Sequence, residues 1–339
     1  MVFSLGLDLG TTGLRVLLLD DEGQPAGSAE RPCAVAHPHP GWSEQDPADW
    51  IAALEGAMAE LADRFPEPLA RVRGIAVSGQ MHGATLLDAG LAPIRPCILW
   101  NDTRSHAEAA RLDALPGMRE ISGNIVFPGF TAPKLDWVRH HEPEAFDRIA
   151  KVLLPAGFLN LYLTGRAVAD MSDSAGTSWF DTGRRDWSDA LLEAGHMRRD
   201  QMPELVEGSA PAGRLWPELA ARWGIPPGAV VAGGAGDNAA AACGTGALAE
   251  GQGFVFGGVA GGAGRLPARS GEGAAHLLPC GAGAVVSDGG DAVGDRQSQL
   301  VVADHRPGPG RTDRRAWRDL AAARAGAVPA LSLGRADAP

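Results

Sequence analysis

Residues 232–246 read AGGAGDNAAAACGTG, which sets one carboxylate, Asp237, and one carboxamide, Asn238, in a run made almost wholly of Gly and Ala. Small residues let a backbone approach a ligand closely, so a lone Asp here is placed to meet that ligand. The same run suits a strand-to-helix turn with Asp237 as a plain N-cap, and on local grounds both readings stand. A second carboxylate, Asp8, sits in GLDLGTTGLRVLLLD, just before Gly10-Thr11-Thr12-Gly13. Two Gly and two Thr in a tight turn offer N–H groups and hydroxyls to a phosphate with no Cβ in the way. An acid beside them suits Mg²⁺, which prefers oxygen ligands and usually keeps several waters. Asp, Thr and Gly are also ordinary turn residues. Neither G-x-x-x-x-G-K-[ST] nor G-x-G-x-x-G occurs, so neither the P-loop nor the dinucleotide fingerprint applies.

The elements that must position these groups follow from periodicity. FSLGLDLG and LRVLLLD predict a β-hairpin whose Thr/Gly turn is the candidate phosphate loop. GSAERPCAVA predicts a further strand. From Asp46 a helix is expected, with Pro47 in its first turn and Trp50, Ile51, Leu54, Met58 and Leu61 at helical spacing. VRGIAVSGQ predicts a buried strand that ends at the loop Gln80-Met81-His82-Gly83, and PCILWNDTR predicts another before a helix through SHAEAARLDAL. The stretch from about 120 to 200 reads as helical and loop-rich, with DMSDSAGTSWFD as a polar turn between strand-like segments. PPGAVVAGGAGDNAAAACGTGAL then predicts strand, Gly-rich turn and helix. The order is that of an α/β domain, with no internal repeat or coiled coil.

Charge limits the partners. The 30 Lys and Arg against 41 Asp and Glu leave a formal net charge of -11, which argues against a general nucleic-acid binder and against an anionic membrane surface. A phosphate ligand stays open, because backbone N–H groups can build its site. No apolar run approaches a membrane span, and Met1 leads into VFSLGLDLG without a basic n-region or cleavage site. The expected location is cytoplasmic. Cys33, Cys97, Cys243 and Cys280 are far apart with no C-x-x-C pairing, so they read as reduced, mostly buried thiols. Trp42 and Trp50 read as packing residues, and Arg139-His140-His141 as a solvated helix end.

Taken in order, GLDLGTTGLRVLLLD, HPHPGWSEQDPADW, GQMHGATLLD, ILWNDTR, GNIVFPGFTAPKLDWVRHHEPEAF, DMSDSAGTSWFD, RDWSDALLEAGHMRRDQMPELVEGSAPAG and VVAGGAGDNAAAACGTG resemble the xylulokinases of the FGGY carbohydrate kinase family. The resemblance runs from Met1 to about Val255, and GQMHG with WSEQDP favours xylulose over glycerol, ribulose or gluconate as substrate. It implies an actin-like, ribonuclease-H-like ATPase fold, with a complete sugar-binding domain over residues 1–242. It also implies transfer of the γ-phosphate of ATP to D-xylulose, giving D-xylulose 5-phosphate. Asp237 then falls on the family's general base, and Asn238 on a residue that binds sugar hydroxyls. Met81 and His82 match the sugar-contacting pair, while Trp100 and Arg104 match residues near the sugar pocket. Asp102 lies there too, or caps the helix from Ser105. Asp8 matches the phosphate-side acid that holds Mg²⁺ through water, and Gly10, Thr11, Thr12 and Gly13 match the first phosphate turn. A full-length relative of this kind can be a homodimer. Positioning and charge neutralisation dominate phosphoryl transfer, so one base, a metal and backbone donors suffice.

After GQGFV the pattern breaks. A second phosphate turn resembling SLGTSGV is expected there, but the chain reads FGGVAGGAGRLPARSG. Past Phe256 the only aromatic residue is Trp317 and there is no Ile. Residues 243–339 are therefore expected to be a truncated remnant of a nucleotide-binding domain, largely disordered beyond about 256. A frameshift near codon 256, in the gene or in its sequencing, would account for this. Val-Met-Leu-Ser-Ala-Thr-Asp-Ser written in GC-rich codons and read two bases late gives Asp-Ala-Val-Gly-Asp-Arg-Gln, which is Asp291 to Gln297.

Overall fold

The computed structural model describes residues 1–248 and, as backbone, four strands beyond them: Gly253–Phe256, Val259–Gly264, Ala275–Leu277 and Val285–Asp288. These four pair antiparallel in a sheet of their own, with Val259–Gly264 and Val285–Asp288 at its centre. The loss of alternation in this stretch did not announce them. The rest of the expectation for the tail, and Cys280, lies outside the described residues.

The opening hairpin forms as its alternation requires. β1 (Phe3–Leu9) and β2 (Gly13–Leu19) pair antiparallel, with Asp8 opposite Arg15 and Leu9 opposite Leu14. β3 (Pro25–Pro32) continues the meander against β2. On the other side of β1 lies β4 (Val72–Gly79), which runs parallel to it. β5 (Pro211–Arg214) and β6 (Val230–Ala232) extend the sheet, with β6 parallel to β4 and β5 antiparallel to β6. The resulting order is β5-β6-β4-β1-β2-β3. A short strand, β7 (Ala235–Gly236), returns to pair with Ser78 and Gly79 of β4.

One face of this sheet is sealed by α1 (Pro47–Arg64), whose Trp50, Leu54, Ala57, Met58 and Leu61 are buried at the predicted helical spacing. They share a core with Leu5, Leu7, Leu9, Leu14, Val16 and Leu18 of the hairpin, and each large apolar side chain so enclosed contributes ~1.5–3 kcal/mol. Asp46 caps α1, accepting the Ala48 N–H at 2.9 Å. Asp46→Ala is expected to cost ~1 kcal/mol, seen as a lower thermal midpoint; an unchanged midpoint would show that water replaces the cap.

A second core, built from Leu86, Ile98, Leu135, Val138, Trp179, Phe180 and their neighbours, supports the segment between β4 and β5. It contains α2 (Thr131–His141) and adjoins α3 (Pro155–Thr164). Two local expectations change here. PCILWNDTR is a strand only over Cys97–Ile98, after which the chain turns. DMSDSAGTSWFD lies between short strands, Val168–Asp170 and Phe180–Asp181, as expected, but its polar turn is a helical turn, Met171–Ser174, followed by a 3-10 turn, Ala175–Thr177, with Asp170, Ser172, Asp173 and Ser174 all buried. Asp170 makes the burial tolerable by capping the turn, accepting from Ser172 N at 2.8 Å and Asp173 N at 3.1 Å. Cys33 and Cys97 are buried thiols outside any disulfide, and Cys243 is half-buried. Among the described residues no helix is long and apolar enough to cross a membrane.

Candidate active site

Parallel pairing brings three chain segments to one edge. Leu9 of β1 lies opposite Gly79 of β4, and Gly79 lies opposite Gly236 of β7. The residues that leave these strands are therefore neighbours: Gly10–Gly13, then Gln80–Gly83, then Asp237 and Asn238. This is the C-terminal end of the parallel strands, where open α/β sheets bind their ligands.

α4 (Asp237–Thr245) starts at this edge, with Gly236 as its N-cap and Asp237 as its first residue. Asp237 is thus not the cap. Its Oδ1 accepts the Asn238 N–H at 2.8 Å, and the positive end of the helix favours a carboxylate there. The small residues before it are obligatory. Gly234 has φ +86, and a Cβ on it would drive into the Val77 carbonyl. A Cβ on Gly236 would meet Met81 Cγ at 2.8 Å and Sδ at 2.9 Å, so Met81 packs directly against the turn that presents Asp237.

Around the first turn a polar network runs inward. Gly10 N–H donates to Gly13 O at 2.9 Å, closing the turn. Thr11 Oγ1 donates to Gln80 Oε1 at 3.2 Å and accepts the Trp100 indole N–H at 2.9 Å. Gln45 Nε2 donates to the Thr11 carbonyl at 2.7 Å, while Gln45 Oε1 accepts from Gln80 Nε2 at 2.8 Å and from the buried Trp50 Nε1 at 3.1 Å. Thr11 is therefore held from three sides. Thr12 is exposed at the tip of the turn. Asp8, the exposed end of β1, is steadied by Ser78 Oγ at 2.7 Å from the neighbouring strand.

His82 adopts φ +66, a left-handed conformation rare outside Gly. Its ring stacks on Phe130 with centroids 4.4 Å apart, and its Nδ1 lies 2.8 Å from Gly176 O. Burial disfavours the imidazolium and lowers its pKa to about 4, with the nearby Lys134 adding to the effect against the opposing Gly176 bond. His82 is a neutral imidazole at physiological pH.

A buried carboxyl, Asp173, stands close to Asp237, with a second, Asp170, beside it. Desolvation raises the pKa of Asp173 well above the ordinary range, and the charges of Asp170 and Asp237 add to the rise. Desolvation raises Asp170 too, against the hydrogen bonds of its cap. Asp173 Oδ1 is buried without a partner.

Sequence-level site residues divide in two. Asp8, Gly10–Gly13, Met81, His82, Trp100, Asp237 and Asn238 come together at the strand ends or against the turns there. Arg104 does not join them directly. Its guanidinium is almost fully buried, pairing with Asp102 and Glu44 at 2.7 Å each and lying 3.7 Å over Trp42. Asp102 also accepts the Ser43 N–H at 2.6 Å, so it ties two loops together and does not cap the helix from His106. Trp42 and Trp50 pack, as expected. His140 and Arg139 bond back to Asp136 and its carbonyl at an exposed helix end. Gln45, Gln80, Thr131, Lys134 and Asp173 were not singled out from sequence. For Lys134 a signal existed: a Lys four residues before Val138 on an otherwise apolar face. Among the described residues no cluster of three or more metal-ligating side chains occurs.

This fold is that of the actin-like sugar kinases. The model of the FGGY family of carbohydrate kinases, N-terminal domain, matches residues 3–244, and the chain belongs to that family. It is 50% identical over 258 residues to the xylulose kinase of Escherichia coli K12, which covers 76% of this chain and 53% of that protein. It is 48% identical to the Klebsiella pneumoniae xylulose kinase over the same shares of each chain. A crystal structure of a xyloylose kinase from Brucella ovis superposes with a TM-score of 0.81 at 51% identity, covering 84% of this chain and 60% of that one. Xylulose kinase from Rhodospirillum rubrum superposes with a TM-score of 0.80 at 30% identity, again over 84% and 60%. The chain spans about half the length of the curated relatives it matches.

Proposed function

We propose that this chain carries the ketose-binding and proton-accepting half of an ATP-dependent xylulose kinase, with Asp237 as general base. The observation that supports this is the meeting of Asp237, the Met81–His82 loop and the Asp8 turn at one sheet edge, in a chain half identical to a xylulose kinase. The ketose hydroxyl attacks the γ-phosphorus of ATP, a P–O bond forms as the bond to ADP breaks, and the hydroxyl proton passes to Asp237. Asn238, beside the base, bonds sugar hydroxyls, and Met81 and the neutral His82 close the pocket wall. Gly10–Gly13 offers N–H groups to the phosphates, and the Trp100–Thr11–Gln80 bridge fixes that turn against the sugar side.

Mg²⁺ fits the donor chemistry. Asp8 is an exposed carboxylate held in place by Ser78 and would offer an oxygen to an ion that usually keeps several of its waters. When bound, it supplies neutralisation of developing phosphate charge.

A second reading is that residues 3–244, which match the N-terminal domain of these kinases, bind a ketose on their own without turning over ATP. Calorimetric titration with D-xylulose, D-ribulose and glycerol, followed by an ADP-release assay with ATP and Mg²⁺, separates the cases. D-xylulose is expected to bind in preference to the other two. Equal binding of all three would reject the xylulose assignment, and sugar binding with no ADP release would favour the binding-only reading.

A further inference from the structure

Beyond the sugar-contacting pair itself, one buried group has no assigned task. Lys134 lies in the first turn of α2 and is fully buried, a costly place for an ammonium. Its Nζ donates to the main-chain carbonyl of His82 at 2.8 Å. Thr131 Oγ1, one turn earlier on the same helix, donates to that carbonyl at 3.2 Å. Two donors on one carbonyl hold the peptide after His82 in the orientation its positive φ demands.

The ring of His82 is constrained as tightly. Phe130, the residue before α2, stacks on one face. Gly176 abuts the ring so closely that a Cβ would come within 2.5 Å of Cε1 and Nδ1. The Gly176 carbonyl can only accept, so Nδ1 carries the proton. In a neutral ring Nε2 is then an acceptor, and among the described residues nothing bonds it. A ketose is rich in hydroxyl donors, and an acceptor nitrogen of fixed tautomer is a suitable reader for one of them.

We propose that Lys134, assisted by Thr131, is a positioning residue that holds His82 in its left-handed conformation with Nε2 as a hydrogen-bond acceptor for a ketose hydroxyl. The proposal rests on the ketose-kinase reading for its ligand but not for the state of His82. Lys134 acts through the His82 carbonyl. Burial lowers its own pKa to about 7, with Cys97 and Asp102 opposing and Arg104 reinforcing the fall, and the charge it retains adds to the burial that disfavours the imidazolium.

The test pairs ¹⁵N NMR of the histidine side chains with D-xylulose titration, in the whole chain and in Lys134→Met and Thr131→Val. Wild type is expected to show His82 as the pure Nδ1–H tautomer at pH 7, with Nε2 shifting when D-xylulose binds. Lys134→Met keeps side-chain volume and removes a buried amine. It is expected to fold with an unchanged or higher thermal midpoint, yet to lose tautomeric purity at His82 and about tenfold in D-xylulose affinity. A merely structural lysine would not separate stability from binding in this way. Unchanged His82 nitrogen signals and unchanged affinity in Lys134→Met would overturn the proposal. Should that variant not fold, Thr131→Val decides by the same two readouts, with a smaller loss expected. If wild type binds no D-xylulose, the ketose reading fails, and the nitrogen signals of wild type and variant alone decide whether Lys134 sets the state of His82.

Discussion

Replacing Asp237 by Asn is expected to lower the turnover number for D-xylulose phosphorylation by ~10²–10⁴-fold, the usual contribution of a positioned general base. The amide keeps the shape of the carboxylate and its place as first residue of α4, and its oxygen can still accept the Asn238 N–H. What it loses is the ability to take a proton. D-xylulose affinity should therefore change little, which a titration checks independently of turnover. Steady-state kinetics in this chain, or in this chain joined to the nucleotide-binding half of a relative, supply the rate. A loss of less than tenfold would remove Asp237 from the proton-transfer step and leave it a sugar ligand.

The second large effect lies in stability and its dependence on pH. Asp173 is buried beside Asp170 and Asp237, and desolvation together with those two charges raises its pKa in the folded chain. The unfolded chain releases this proton near pH 4, whereas the folded chain retains it to higher pH. Between those values the folded state binds more protons, so the stability this group confers is complete below the unfolded pKa. It is lost as pH rises toward the folded pKa, at up to ~1.4 kcal/mol per pH unit. Asp173→Asn does not titrate. Its stability advantage over wild type is expected to be small at pH 4 and to widen steadily toward neutral pH, measured by urea denaturation across the range. His82 acts in the opposite sense: its pKa of about 4 means that stability is lost as pH falls from about 6.5. That contribution is common to both proteins and cancels in the difference. A gap that does not change with pH would mean that Asp173 is ionised and paired in the native state.

How far the fold was legible varies with the range of the forces involved. The hairpin Phe3–Leu19, the helix Pro47–Arg64 with its Asp46 cap and the strand Val72–Gly79 follow from period and capping alone, because each presents a single apolar face to a single core. PCILWNDTR did not remain a strand, since after Ile98 its backbone turns into the loop that ties Asp102 to Ser43. That the polar turn of DMSDSAGTSWFD is buried was not legible, because its burial comes from elements distant in sequence, whereas composition reports only the residues themselves.

Period and turn chemistry alone placed Asp237, Asn238, Asp8 and the Gly10–Gly13 turn at strand ends, while their roles toward sugar and phosphate came from the resemblance, because a Gly/Ala run and a Thr/Gly turn also suit a plain cap and a plain turn. That Met81 packs against Gly236, that Trp100 reaches Thr11, and that Lys134 grips the carbonyl of His82 were decided only by the tertiary structure. Lys134 and His82 are 52 residues apart. Their hydrogen bond forms only when α2, part of the second core, packs against the loop that leaves β4.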